Sequence, residues 1–550
     1  MKDNLSRRRF LEMVGLAGGS AALYETMTAL GLVNVPEAWA GPPRLPQGSG
    51  EGKSVAVLGA GIGGLTTAYM LTQARYKVDI LEAQDRVGGR SLTARRGTQI
   101  VEQSEAHGRT VQECKFDGDL YLNMGPGRLP YHHRRVLHYC RELRVPLEVY
   151  IMSTSANLFQ TESAFSGKAE FNRRIAYDTQ GYISELLAKA VNKKALDEDL
   201  TEQDQDRLLS LLKVFGDLSD HYTYDGSTRA GCMKPLTVYQ ACDPESRLPF
   251  QYLLDADFWK HKFYQYIEFE WQPTLFQPVG GMDKIVQGFE RALPKNMIHT
   301  QCVVNQVELQ PDSVTVYWQE RGAQRNARYD YCVSSIPLPI LQRIQSNFSP
   351  DYKKAVDHAR FAPTCKVGWQ ANRRFWEDDP YQIYGGISYI RDIITQMWYP
   401  SNDYFSQTGT LTGAYNYGAD ALSLGDMGLD QRLVTARNGA IRLHKEFADP
   451  GLVPQDKGLS IAWQHIPFQK GGWAEWSDSD PADNEAYSRL LRPDGHFHVV
   501  GDQVSTLPGW QEGAIMSAEH VVSQIGQLLK AAPIEVVHAP NTRRLVEGRF

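Results

Sequence analysis

Nowhere in this chain do two cysteines stand in C-x-x-C spacing, and none of the seven falls into a metal-ligand pattern with histidine. Zinc fingers, zinc ribbons and thioredoxin-type redox pairs are excluded, and no metal site is expected. Cys114, Cys140, Cys302, Cys332 and Cys365 read as buried free thiols. Cys232 and Cys242 could pair in an oxidising compartment, but buried thiols are the preferred reading for them too. Excess charge is also missing. With 58 basic against 64 acidic residues, net −6, nothing favours a nucleic-acid partner. No segment beyond the N-terminal region reaches about 18 uninterrupted apolar residues, so the mature chain is expected to be soluble, without a membrane span.

What the chain has is length and apolar content. Its 550 residues, 42% hydrophobic and 11% aromatic, suffice for two or three domains with sizeable cores. The N-terminus reads as an address. Ser6-Arg7-Arg8-Arg9-Phe10-Leu11 resembles the twin-arginine export signal, a moderately apolar stretch follows over 13–33, and Ala38-Trp39-Ala40 fits a small-x-small cleavage site. Glu25 and several glycines interrupt the apolar stretch, which argues against a retained anchor. Residues 1–40 are therefore expected to be removed, 41–52 to be a linker, and the mature protein to be periplasmic or secreted.

The stretch that organises the rest is 55–91. Val55-Ala56-Val57-Leu58 reads as a buried parallel strand. Gly59, Gly61 and Gly64 follow in G-x-G-x-x-G spacing, with Ile62 and Gly63 between them, and Leu65 to Gln73 is helical in character. Gly59 permits the tight turn, Gly61 the close approach of a pyrophosphate, and Gly64 close packing of helix on strand. The helix start then offers free N–H groups and a positive dipole end to phosphate. A second strand, Lys77 to Leu81, ends at Glu82-Ala83, with Glu82 near the offset of about 20 residues expected for a ribose-binding carboxylate. Strand, glycine turn, helix, strand and acid in this order imply a dinucleotide-binding α/β domain.

The continuation Arg86-Val87-Gly88-Gly89-Arg90 resembles the R-x-G-G-R extension of the flavin amine oxidase superfamily, which includes monoamine and L-amino acid oxidases. The resemblance implies FAD rather than NAD, with Gly89 and Arg90 at its pyrophosphate. Asn123-Met124-Gly125-Pro126-Gly127-Arg128-Leu129-Pro130 resembles the family's N-x-G-P-x-R-L-P loop. By that likeness Gly125, Pro126 and Gly127 approach the cofactor, and Arg128 grips a substrate α-carboxylate, which suits a forked guanidinium. Tyr131 to Leu143 reads as a helix. Its His132, His133 and His138 lack a metal-ligand set and are expected in solvent.

Further landmarks resemble the same family. Pro278-Val279-Gly280-Gly281-Met282 precedes an amphipathic helix, and strands follow over 297–304 and 307–318, where Val303 resembles the main-chain contact to adenine. Lys366, in a strand ahead of Phe375-Trp376, matches the lysine that holds a water against the flavin. Gln396 to Ser401 resembles the Y-Y-P-S segment; Tyr399 is the choice for a second carboxylate contact, and Trp398 for packing. Gly471-Gly472-Trp473 matches the turn near the isoalloxazine. Tryptophan stands where monoamine oxidases have the flavin-linked cysteine, so the FAD is expected to be noncovalent, with Trp473 on the pocket wall. Near the C-terminus, Gly501-Asp502 and Gly509-Trp510-Gln511-Glu512-Gly513-Ala514 resemble the closing motif. There Gly501, Asp502, Gln511 and Ala514 face the cofactor, while Gly509 and Trp510 meet cofactor and substrate amine. Pro508 replaces the family's histidine.

The expected fold is a Rossmann-like FAD-binding domain of the two-dinucleotide-binding-domain type (53–110, 276–360 and 490–530), an α+β substrate domain (111–177 and 361–489) and a helical insert (178–275). The resemblance implies FAD-dependent oxidation of an L-amino acid by dioxygen to a 2-oxo acid, ammonia and hydrogen peroxide. An amine oxidase, an amino acid 2-monooxygenase or a non-catalytic flavin-binding protein are the alternatives. The sequence gives no grip on oligomeric state, and a homodimer is left open.

Overall fold

Residues 39–196 and 200–526 are described in the computed structural model. The export signal falls almost wholly, and the last turn of the C-terminal helix wholly, outside them. The chain divides into two units, Met1–Pro43 and Arg44–Phe550. Of the first, only residues 39–43 are described.

Val55 to Leu58 are apolar at consecutive positions because both faces of their strand are covered. Strand β1 (Ser54–Leu58), helix α1 (Ile62–Gln73) and strand β2 (Lys77–Leu81) form the first βαβ unit. Three distant segments complete this sheet: β3 (Ile298–His299), β4 (Tyr331–Ser334) and β5 (Phe497–Val499). The order is β3-β2-β1-β4-β5, parallel throughout, with Val57 between Ile80 and Val333. Helix α2 (Gln511–Ile525) lies beside α1, and the two share a core of Leu65, Ala68, Ile515, Ala518 and Val522. The other face of the sheet packs Ala56, Leu58 and Cys332 against Val304, Val307 and Val316. Each such side chain, fully buried, contributes roughly 1.5–3 kcal/mol.

The strands over 297–318 differ in detail from expectation. One strand runs through Cys302–Gln310, with an irregular register between Val304 and Gln306, and turns at Pro311-Asp312 into Ser313–Glu320. The Pro-Asp turn, not the polar Asn305, breaks the run.

A second sheet carries the other wall of the site. Its seven strands lie in the order 170–171, 158–160, 387–390, 396–398, 409–417, 364–371 and 458–462. A buried bidentate pair ties it to the strand at 99–104: Arg432 Nη1 and Nη2 donate to Glu102 Oε1 and Oε2 at 2.9 and 3.0 Å. Glu102 Oε1 also accepts from Ala462 N–H at 2.7 Å.

Within 178–275 the expected helices are present as Asn172–Asn192 and Glu202–Gly216, packed on a small core that includes Val191, Leu209 and Leu212. The stretch 217–249 is mostly irregular. Here the buried-thiol reading is corrected: Cys232 and Cys242 form a disulfide. Residues 232–241 are exposed, so no core exists there to bury a thiol, and a covalent link closes the loop instead. The other five cysteines are free and buried, as expected. Among the described residues no helix is long and apolar enough to cross a membrane.

Candidate active site

A long cavity opens where β1 meets α1, at the carboxyl ends of the parallel strands. Gly59 turns the chain with φ +94°. A Cβ on Gly64 would meet the Gly59 carbonyl at 2.1 Å, so the helix can approach the strand only with glycine there. Gly64 thus lies behind the cavity. Gly59, Gly61, Ile62 and Gly63 line it, with Glu82, Ala83 and Val303 at the same end. Glu82 Oε2 accepts from Ala60 N–H at 2.8 Å, and burial raises its carboxyl above the usual range.

Further along, the two ends of the chain are clasped together. The Arg90 guanidinium donates to the Asp502 carboxylate and to the Gly472 carbonyl. Asp502 also accepts from Gly509 N–H at 2.8 Å, which fixes the loop ahead of Trp510. Helix α2 starts here, with Gln511 Nε2 donating to Ser91 Oγ at 2.8 Å. Gly89, Arg90, Gly501, Asp502, Gly509, Trp510, Gln511 and Ala514 all line the cavity, as do Gly472 and Trp473.

The far end is aromatic and holds one buried cation. Gly125, Pro126, Gly127 and Arg128 line it. Gly127 has no room for a side chain, since a Cβ would meet Trp398 Cζ3 at 2.7 Å. Arg128 is 9% exposed. Its guanidinium carbon lies 4.9 Å from the Trp398 ring centre and 5.9 Å from that of Tyr150. Its Nε and Nη1 atoms are buried and have no hydrogen-bond partner. A buried guanidinium with bare N–H groups is costly by itself and calls for an anion.

Two expected residues are not on the cavity wall. Lys366 is fully buried behind the Gly125 loop, where Nζ donates to the carbonyls of Asn123 and Gly125 at 3.0 and 2.8 Å. Burial, with the Arg128 charge adding, pushes its ammonium down to about 7. Tyr399 is a correction. It faces away, its hydroxyl bonded to Ser388 Oγ at 2.9 Å and His444 Nε2 at 2.6 Å. Alternation along the strand 396–398 explains this: Gln396 and Trp398 face the cavity, while Met397 and Tyr399 enter the core behind it.

Sequence reasoning missed Tyr415 and Tyr417, which line the cavity from the strand Gly409–Tyr417. Their period-2 spacing in Ala-Tyr-Asn-Tyr was a usable signal. It also missed Gln265, Glu270 and Trp271, which reach the cavity from the end of the insert. The expectation that the histidines are solvated fails for His133, which is buried and bonded to Glu270 at 2.9 Å, and for His132, bonded to the same carboxylate at 3.1 Å. The three ligand-type atoms come within 4.8 Å of one another. No spacing linked positions 132 and 133 to 270, so only the fold could bring them together.

The residues present fit a flavin dinucleotide. A glycine turn and a helix start suit the pyrophosphate, Glu82 suits a ribose, and one continuous cavity leads on to an aromatic end with an orphaned cation.

Residues 62–526 match the family of flavin containing amine oxidoreductases. The chain is 26% identical over 499 residues to the flavin-dependent L-tryptophan oxidase of Lentzea aerocolonigenes, covering 86% of this chain and 98% of that protein. It is 22% identical over 492 residues to the L-amino-acid oxidase of Echis ocellatus, covering 86% and 89%. Among solved structures, putrescine oxidase bound to putrescine is similar with a TM-score of 0.55 at 16% identity, over 86% of this chain and 98% of that one. At that identity the likeness is one of fold.

Proposed function

Because the chain belongs to the family of flavin containing amine oxidoreductases, we propose that its substrates are free L-amino acids, oxidised at the α-carbon to the imino acid. This hydrolyses to a 2-oxo acid and ammonia. The flavin, when bound, supplies acceptance of hydride from Cα and reoxidation by dioxygen, with hydrogen peroxide as product. The protein's share is placement and electrostatics.

One observation carries the reading: the Arg128 guanidinium is buried at the aromatic end of the cavity with Nε and Nη1 unpaired. An α-carboxylate satisfies both the charge and the fork. A simple amine would leave the cation bare. Arg128 anchors the carboxylate, and Trp398 beneath it and Trp510 across from it confine the rest of the substrate. Gly125 and Gly127 let substrate and cofactor approach closely. Lys366 holds the Gly125 loop through two carbonyls and places a titratable ammonium directly behind it. The Arg90–Asp502 clasp holds the loop before Trp510 in register with the cofactor cradle. Noncovalent attachment is consistent with Trp473 after the Gly471-Gly472 turn.

The purified flavin-loaded protein should release peroxide with members of a panel of twenty L-amino acids and with none of the corresponding decarboxylated amines. Release with the amines alone would refute the carboxylate reading, and an amide product would reassign the chain to monooxygenase chemistry. Export by the twin-arginine route is part of the proposal. The Cys232–Cys242 disulfide supports an oxidising destination, and cell fractionation with and without an Arg7,Arg8→Lys change tests it.

A further inference from the structure

A carboxylate between two imidazoles sits in the cavity wall and takes no part in holding the cofactor. Glu270 and its neighbour Trp271 line the cavity. Glu270 Oε2 lies 2.9 Å from His133 Nε2 and 3.1 Å from His132 Nε2. His133 is fully buried, with its ring edge-on to Trp510 at 4.9 Å. His132 is more exposed and stacks at 4.1 Å on Phe269, itself 56% exposed. The group therefore runs from cavity to surface. Both Nδ1 atoms are buried without a partner. Burial alone would raise Glu270, but the hydrogen bonds and charges of the two histidines outweigh it and hold the carboxyl down at about 2. Glu270 stays ionised, and so can stabilise an imidazolium without keeping a proton itself.

We propose that His132, Glu270 and His133 form the route by which the substrate α-ammonium loses its proton before oxidation. This inference rests on the amino acid reading above. A free amino acid arrives as an ammonium ion, and hydride can leave Cα only when the nitrogen lone pair is free to form the imine. The ammonium N–H bond breaks and its electron pair stays on nitrogen. The proton crosses Glu270 and forms an N–H bond at an unprotonated imidazole nitrogen. The amine becomes neutral, the imidazole becomes imidazolium, and the carboxylate is unchanged. His132, nearer the surface, returns the proton to solvent.

The surrounding charges are engaged elsewhere or can be controlled for. Arg135, in the next turn, pairs with Glu512 and Glu519 of α2. Tyr131 packs edge-on to His132 at 5.1 Å. Glu268, raised to about 7 by burial against the opposing charge of Lys262, titrates nearby, and Lys262 sits 3.6 Å over the Tyr417 ring. Arg128 stands at the far wall of the same cavity.

The test compares kcat/KM against pH for the holoenzyme and its His133→Asn, Glu270→Gln, His132→Asn and Glu268→Gln variants, using the amino acid most active in the panel. Loss of a positioned proton acceptor should lower kcat/KM roughly 10- to 100-fold near neutral pH for His133→Asn and Glu270→Gln. Their values should return to wild type at alkaline pH, where the amino acid arrives with a neutral amine. His132→Asn should show a smaller loss with the same recovery, and Glu268→Gln should keep the wild-type profile. Equal loss at all pH values with flavin absorbance intact would mark a structural role and overturn the proposal. So would unchanged profiles, or a stoichiometric metal ion in the purified holoenzyme. Should His133→Asn fail to fold, the partly exposed His132→Asn and the near-isosteric Glu270→Gln still decide. A wild-type enzyme that oxidises no amino acid refutes the proposed function. An active wild type with pH-indifferent variants refutes the proton route alone.

Discussion

Replacing Arg128 by Met keeps most of the side-chain length and removes the charge and the donor fork. In the substrate complex, the lost partner leaves a carboxylate unpaired in an aromatic pocket. Breaking a buried pair in this way costs about 3–5 kcal/mol. At about 1.4 kcal/mol per decade, kcat/KM for the preferred amino acid should fall roughly 10²- to 10⁴-fold. Because the anchor holds ground state and transition state alike, most of the loss should appear in KM. The same substitution should do little to the substrate-free fold. Arg128 makes no hydrogen bond through Nε or Nη1, so Met relieves an unsatisfied charge. The stacking lost against Trp398 offsets that relief by only about 0.5–1 kcal/mol. Flavin content and melting temperature should therefore stay near wild type. Steady-state peroxide assays with the amino acid and its decarboxylated amine, alongside thermal melts, check both halves. Activity within threefold of wild type would refute the carboxylate assignment. A melt lowered by many degrees would refute the claim that the guanidinium is unpartnered.

Other substitutions probe the frame. Gly64→Ala drives a Cβ into the Gly59 carbonyl and should abolish flavin binding together with soluble expression, whereas Gly61→Ala, whose nearest atom is Ser335 Oγ at 3.6 Å, should fold and lose flavin affinity only; absorbance of the purified variants separates the two. Glu102→Gln leaves Arg432 buried beside a neutral partner and should cost about 3–5 kcal/mol, read as a lower denaturation midpoint with unaltered substrate preference. An unfolded lysine titrates near 10.4, so the folded Lys366, held at about 7, binds fewer protons between those values, and its stability contribution rises with pH across that window. Lys366→Met should accordingly be more stable than wild type below about pH 7 and lose that advantage toward pH 10, in melts of the flavin-free protein.

The cofactor half was legible because glycines leave no alternative. A glycine turn between an apolar run and a helix, followed by a strand ending in Glu82, maps directly onto β1, α1 and β2. The substrate half was legible only where a loop carried its own punctuation, as at Gly125-Pro126-Gly127-Arg128. At Trp398-Tyr399 side-chain chemistry suggested tyrosine, but strand alternation decides which neighbour faces the cavity, and it selects tryptophan. The Cys232–Cys242 link was missed because the stretch 217–249 was read as helix, and in helices cysteine usually packs as a small apolar residue. The His132–Glu270–His133 group joins positions far apart in the chain, and no local period reports such a meeting.

The central sheet takes strands from the beginning, the middle and the end of the chain, and the Arg90–Asp502 clasp closes only when both termini have met. A ribosome would thus have released almost the whole polypeptide before a complete nest for the nucleotide existed. Synthesis and cofactor capture are then successive events rather than overlapping ones. Until the final helix docks, the glycine turn at β1 has no opposite wall, and the newborn chain must stay unaggregated with the apolar underside of its first strands uncovered.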